Sequence, residues 1–457
     1  MKIGFTNIVI KNMKKYILIL TVLFCACGST KTTSNYYPNR STKSTESNYN
    51  QGNKYTLERF RDLRAAKARV YKNNYQLAVD AFFAEDWSKA ISYLNIVINS
   101  RPDADAYFMR AYSKSSISDF SGAINDYFSA IELRPSYVFA YNNLASIKFN
   151  NFQVIDSSID YLNTALSYDS KAPLVYLNLA KIQNAKGSFV QAIKNATKAI
   201  DLNAEDKAGA YKSRAKAKRN LKQYIGAIDD LKKSISLSPK YALAYFELGL
   251  TYYEKSNYYL AINNFNIAIE YGKHEKGDFL SVSYYNRALA KKSYNDFQGS
   301  ISDFEMASKL DSKTNSLDKS DIAGVYFKWG NRFFKLKKWD SAIQKFNEAK
   351  RLDSSLNDDC NYNICSSYYN IGLKYTDEDE AIVNELNTLR YSSNSARYLQ
   401  LEKLRNENLK NSLKFMLMAY NYDKKRKDLV DMISQLYNLT GNKIKEKEFK
   451  SISQGLE

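Results

Sequence analysis

Catalysis and metal binding start from histidines, thiols and carboxylates, and this chain offers few useful arrangements of them. One histidine is present in 457 residues, His274, inside the charged stretch KHEKGD. A single imidazole cannot build a multi-histidine metal site, and no general-base partner is evident for it. Cys360 and Cys365 lie five apart on a predicted helix, roughly 140° around it, so they form neither a CxxC pair nor facing partners for a disulfide. They read as packing thiols. No glycine-rich phosphate loop and no Gly-x-Ser-x-Gly turn occurs. The residues point away from an enzyme, and no cofactor, metal or small-molecule substrate is expected. What remains is surface chemistry, carried by 67 Lys and Arg against 48 Asp and Glu, a formal charge of +19.

A repeated phrase shows what must position that surface. AINDYFSAIELRP (123–135) places Ala123, Tyr127 and Ala130 at i, i+4 and i+7, one face of a helix, and Pro135 forbids continuation. The same shape returns as AISYLNIVINSRP (90–102), SIDYLNTALSYDS (158–170), AIKNATKAIDLNA (192–204), AIDDLKKSISLSP (227–239), AINNFNIAIEYGK (261–273), SISDFEMASKLDS (300–312) and AIQKFNEAKRLDS (342–354), at spacings of 33 to 42 residues. Ahead of several of them lies another predicted helix with a small pair: Leu144-Ala145, Leu179-Ala180, Leu248-Gly249 and Trp329-Gly330, each with a Tyr three residues earlier. A short helix with one apolar edge buries little alone, so its recurrence implies a unit stable only when stacked on copies of itself. The fold class expected is all-α.

These units resemble the tetratricopeptide repeat, whose pattern sets Leu-Gly or Leu-Ala and Tyr in a first helix and Ala, an aromatic, Ala and Pro in a second. Residues 242–270 match at Tyr245, Leu248, Gly249, Tyr252, Ala261, Phe265 and Ala268. The resemblance implies a right-handed α-solenoid that binds extended or helical protein segments in a concave groove lined by first-helix positions. Carried over, those positions are Tyr75, Phe82, Phe108, Tyr112, Asn142 and Phe149, then Asn178, Lys181, Asn184, Lys212, Lys216 and Arg219, then Phe246, Tyr253, Tyr285, Lys292, Phe327, Asn331 and Phe334. Such a groove runs aromatic, basic, aromatic. Asn can hold a ligand's backbone while Lys and Arg pair with carboxylates, which suits an acidic segment flanked by apolar anchors. A glycan binder is the alternative, because Tyr-rich grooves also stack sugars.

The N-terminus bears on compartment. Lys11, Lys14 and Lys15 precede YILILTVLFCAC (16–27), a run too short to span a bilayer but suited to a secretory signal. From Met13 onward the segment is a complete signal by itself. Its end, Phe24-Cys25-Ala26-Cys27-Gly28, resembles the lipobox of bacterial lipoproteins, with Cys27 as the acylated residue and Phe24 departing from the usual Leu. This implies an outer-membrane, periplasm-facing lipoprotein. Removing residues 1–27 takes four Lys and no acid from +19, leaving +15. Export argues against a nucleic-acid partner. The expected organisation is therefore a signal peptide (1–27), a tether (28–54) reaching about 30 Å as a random coil, and a capping helix (55–70). Eight repeats (71–354), an elongated ninth repeat with an inserted helical hairpin (355–423) and a C-terminal capping repeat (424–457) follow.

Overall fold

Helices account for nearly all of the secondary structure, because the apolar residues recur at helical spacing and the breaks between them carry cap and turn residues. The computed structural model describes residues 68–274, 278–310, 319–389 and 396–456. The signal, the tether, Cys27 and most of the expected N-terminal cap lie outside them. The chain divides between Thr251 and Tyr252 into two units.

The first unit contains α1 (68–83), α2 (Trp87–Ser100), α3 (Ala104–Ser116), α4 (Phe120–Leu133), α5 (Val138–Phe152), α6 (Ile155–Tyr168), α7 (Pro173–Lys186), α8 (Phe189–Asp201), α9 (Lys207–Asn220), α10 (Tyr224–Leu237) and most of α11 (Ala242–Glu254). They pack as successive helix–turn–helix pairs. Asp86, Asp103, Asp119 and Asp206 each cap a helix by accepting backbone N–H bonds, as at Lys89 and Gly209. The turn inside each pair closes with one left-handed residue: Glu85, Ser118, Gln153, Gly187 or Lys222. Beside it the chain reaches back five residues, as in Asp119 N–H to Lys114 O (2.9 Å) and Gln223 N–H to Lys218 O (2.9 Å), which satisfies a carbonyl the helix end would orphan. Ala123, Tyr127 and Ala130 are fully buried, and so are Ala227, Leu231 and Ser234 at the same offsets.

The second unit contains α12 (Tyr258–Tyr271), α13 (Phe279–Tyr294), α14 (Phe297–Leu310), α15 (Lys319–Lys335), α16 (Trp339–Leu352), α17 (Asn357–Thr388), α18 (Ala396–Tyr420), α19 (Lys427–Leu439) and α20 (Lys443–Gln454). Small residues again set the helix spacing. A Cβ on Gly330 would lie 2.7 Å from the Phe346 ring, and one on Gly372 would lie 2.8 Å from Met416 Cε. The i, i+4, i+7 triad persists in α18, where Ser412, Met416 and Ala419 are buried. Cys360 and Cys365 are free buried thiols in two different apolar clusters. His274 is exposed at the end of a short 3-10 turn. Among the described residues no group of acids, thiols and imidazole has the makings of a metal site, and no helix is long and apolar enough to cross a membrane.

Candidate functional site

The basic positions come together in the first unit. Lys181 stands on α7, and Lys212, Lys216 and Arg219 stand on α9 at i, i+4 and i+7, the spacing of one helix face. Lys181 Nζ lies 3.9 Å from Asp206 Oδ2, the carboxylate that also caps α9. Arg219 pairs with the buried Glu247 of α11 at 3.3 Å. The Lys212 ammonium sits over the Tyr241 ring, 5.6 Å from its centroid. Lys181 and Lys212, on the adjacent first helices α7 and α9, repel each other. Burial, reinforced by Lys212, pulls the Lys181 ammonium down to about 8, while Asp206 opposes that shift. Burial also pulls Lys212 down, but Tyr241 and Glu247 more than offset it and its pKa ends above the usual lysine value.

The asparagines are placed differently from the expectation. Asn142 and Asn178 are interior, and Asn178 Nδ2 donates to Asn142 Oδ1 at 2.8 Å, so these amides join α5 to α7 and are not presented to a ligand. Asn184 is likewise buried. Its Nδ2 donates to Ser213 O (2.8 Å), and its Oδ1 meets no partner among the described residues. The reason is general: where two first helices pack side by side, a buried amide costs free energy unless it finds a partner, and the next helix supplies one.

The aromatic positions also need correction. Phe108 is 3% exposed and belongs to the core, stacked on Tyr137 at 5.0 Å and edge-on to Tyr127 at 5.6 Å. Phe82 and Tyr112 are core residues as well. Tyr75 is half-buried against the first cluster, its phenol pKa raised by burial and by Asp105 and Asp103. Phe149 and Phe246 are half-buried in the first unit. In the second unit Tyr253 is half-buried, and Tyr285, though partly exposed, packs edge-to-face on Phe304 at 5.3 Å. There too, Lys292, with its pKa lowered chiefly by burial, accepts a bond at its backbone oxygen from Lys328 Nζ (3.0 Å).

Sequence reasoning missed a second constellation that recurs. Arg110 grips the buried Asp126 through two bonds (2.8 and 2.7 Å) while Lys114 takes the same carboxylate at 2.9 Å. Arg214, Lys218 and Asp230 repeat this at 2.9, 2.7 and 2.8 Å, and Arg287, Lys291 and Asp303 at 2.7, 2.6 and 2.9 Å. Each guanidinium also lies over a Tyr one turn back, Tyr107, Tyr211 or Tyr284. Each donates further to the preceding second helix, at Asn95, Thr197 or Asn266. The signal was available as Tyr-x-x-Arg-x-x-x-Lys followed by Asp sixteen residues after the Arg. Each of these carboxylates clamps the two helices of its own repeat, while the guanidinium's further bond reaches the repeat before it.

A family model described as TPR repeat matches residues 215–256, which span the end of α9, all of α10 and α11. Residues 215–256 match a tetratricopeptide repeat, and helix–turn–helix pairs of the same kind recur among the described residues. Among curated proteins, stress-induced-phosphoprotein 1 of Caenorhabditis elegans is 23% identical over 202 residues, 43% of this chain and 58% of the relative. Tetratricopeptide repeat protein 6 of Homo sapiens is 34% identical over 178 residues, 37% of this chain and 32% of the relative. The chain therefore spans less than two thirds of the length of either relative. A solved tetratricopeptide repeat protein from Parabacteroides merdae is 14% identical with a TM-score of 0.46, covering 56% of this chain and 99% of the other.

Proposed function

We propose that this tetratricopeptide repeat protein is a non-enzymatic scaffold, held at the outer membrane by lipid on Cys27 and facing the periplasm, that binds an acidic segment of a protein partner in the groove of its first unit. Assembly of envelope or secretion machinery is the setting this reading fits. The observation that carries it is the gathering of Lys181, Lys212, Lys216 and Arg219 on the adjacent first helices α7 and α9, with Lys212 and Lys181 in mutual repulsion. Like charges held together and partly desolvated are strained electrostatically, and an incoming carboxylate relieves that strain. A sugar platform would need open ring faces. Phe108 is interior and Tyr285 rests on Phe304, so the peptide reading is favoured over the glycan one.

The test is binding of a fluorescent glutamate-rich peptide, followed by anisotropy. Reversing Lys212 and Lys216 to Glu should weaken it about tenfold or more, whereas reversing the exposed Lys232 and Lys233 of α10 changes net charge equally and should act only weakly. Equal losses from the two pairs would refute the groove assignment. For the anchor, Cys27→Ala should release the chain from the membrane fraction, and retention through a high-salt wash would refute lipidation.

A further inference from the structure

The second unit carries a segment that matches the groove's requirements. α17 is 32 residues long and α18 is 25, whereas the neighbouring α16 has 14. At 1.5 Å per residue α17 extends about 48 Å against about 21 Å for α16. Past Tyr375, which stacks on Phe415 at 5.9 Å, the polar contacts of α17 run to α18: Asp379 with Arg405 (3.5 Å) and Glu385 with Arg397 (2.7 Å). The distal halves of the two helices form a two-helix arm with its own small core, Ile382 and Leu401.

The α17 half of this arm is acidic within a basic chain, and Arg397 and Arg405 of α18 pair with only Glu385 and Asp379 of it. Residues 375–389, YTDEDEAIVNELNTL, hold five acids and no base, in a protein of formal charge +19. Asp377, Glu378 and Glu380 are exposed, and Glu378 has only a solvent-facing pairing with Lys374 at 3.8 Å, which contributes little. On α18 Leu399 and Leu404 are 58% and 44% exposed, two apolar side chains on the same arm as the acids. An acidic helix with apolar residues beside it has the composition called for by a basic groove flanked by the half-buried Phe149 and Phe246.

We propose that the groove's occupant is a second copy of this chain: the acidic arm of one copy docks on Lys181, Lys212, Lys216 and Arg219 of another. The inference rests on the acidic-segment reading of the groove and names the partner. Charge complementarity favours this occupant, and the two surfaces are automatically present in equal number. Because the two patches differ, the contact is head-to-tail, and each copy bound leaves a free arm and a free groove for the next.

Sedimentation velocity of the full chain across a concentration series tests it. In 50 mM salt the wild type should grow beyond a monomer as concentration rises and return to monomer in 500 mM salt. Asp377→Lys with Glu380→Lys should abolish growth, and so should Lys212→Glu with Lys216→Glu. Mixing these two variants should yield a 1:1 complex that cannot extend, since one retains the groove and the other the arm. A wild type that stays monomeric, or a mixture that forms no complex, overturns the proposal. So does a monomer that expands when the arm is reversed, the sign of closure within one chain. The glutamate-rich peptide separates the two readings. If it binds the arm variant while the wild type fails to self-associate, this inference falls and the scaffold reading stands. If it does not bind, the groove reading itself falls.

Discussion

Replacing Asp230 by Ala would leave Arg214 and Lys218 facing each other without the carboxylate that both now grip. The carboxylate is 4% exposed as a residue and accepts bonds of 2.9, 2.7 and 2.8 Å. Removing one partner of a buried pair costs about 3–5 kcal/mol, because the remaining charge stays desolvated. Here the remaining cations are 19% and 22% exposed at the side chain, so they can turn partly to water, and the lower end of that range, about 3 kcal/mol, is expected. Asp230→Asn should cost less, since the amide oxygen still accepts one bond. Urea unfolding followed by circular dichroism gives the total, and amide exchange over residues 207–237 shows whether the loss is centred there. Replacing Arg214, Lys218 and Asp230 together by apolar residues of similar volume should recover most of the loss, because no charge is then left unpaired. Asp126→Ala supplies an internal replicate in the same unit. A cost under about 0.5 kcal/mol, the range of a surface substitution, would refute the claim that these triads clamp the two helices of a repeat.

Three further outcomes follow from the geometry. Gln153→Gly should raise stability by about 0.5–1 kcal/mol in thermal unfolding, since Gln153 holds φ 57°, while Gly187→Ala at φ 82° should lower it by a similar amount although nothing lies within 4 Å of the new Cβ. Gly330→Ala should cost about 1–3 kcal/mol by forcing the Phe346 ring aside, and an unchanged melting curve would show that the ring has room to move. Lys181, at about 8 when folded against an ordinary value above 10, binds fewer protons in the native state than unfolded across that window. Stability should therefore rise with pH between about 8 and 10.5, while affinity for an acidic peptide falls as the ammonium is lost. Lys181→Met should flatten that affinity profile.

The repeats were legible because stacking leaves no choice about certain positions. Ala261, Phe265 and Ala268, or Ala342, Phe346 and Ala349, occupy one face at fixed offsets and must be small or aromatic for two helices to meet. The basic face of α9 was readable for the same reason, as Lys212, Lys216 and Arg219 share one helix side. Its counter-charges were not. Asp206 and Glu247 come from the cap of one helix and from the next repeat, 28 residues beyond Arg219 in the latter case, and no periodicity within a helix reports such a partner. Phe108 and Asn142 were misplaced because an inward position was equated with an open one. Phe108 fills the space between Tyr127 and Tyr137, and Asn142 meets an amide one repeat away. The Arg–Asp–Lys triads were present in the letters but only in some repeats, so no pattern shared by every repeat contains them.

The bond between Asn142 and Asn178 joins residues 36 apart, and those from Arg134 to Asp105 and Arg214 to Asp230 join residues 29 and 16 apart. Connections of such short reach close small loops, and small loops close fast. A repeat can begin to fold once its successor is available, without waiting for distant segments. The same locality limits the damage from a late error: a repeat that opens exposes its neighbours' facing sides but not the whole core, so recovery is a matter of re-zipping rather than refolding.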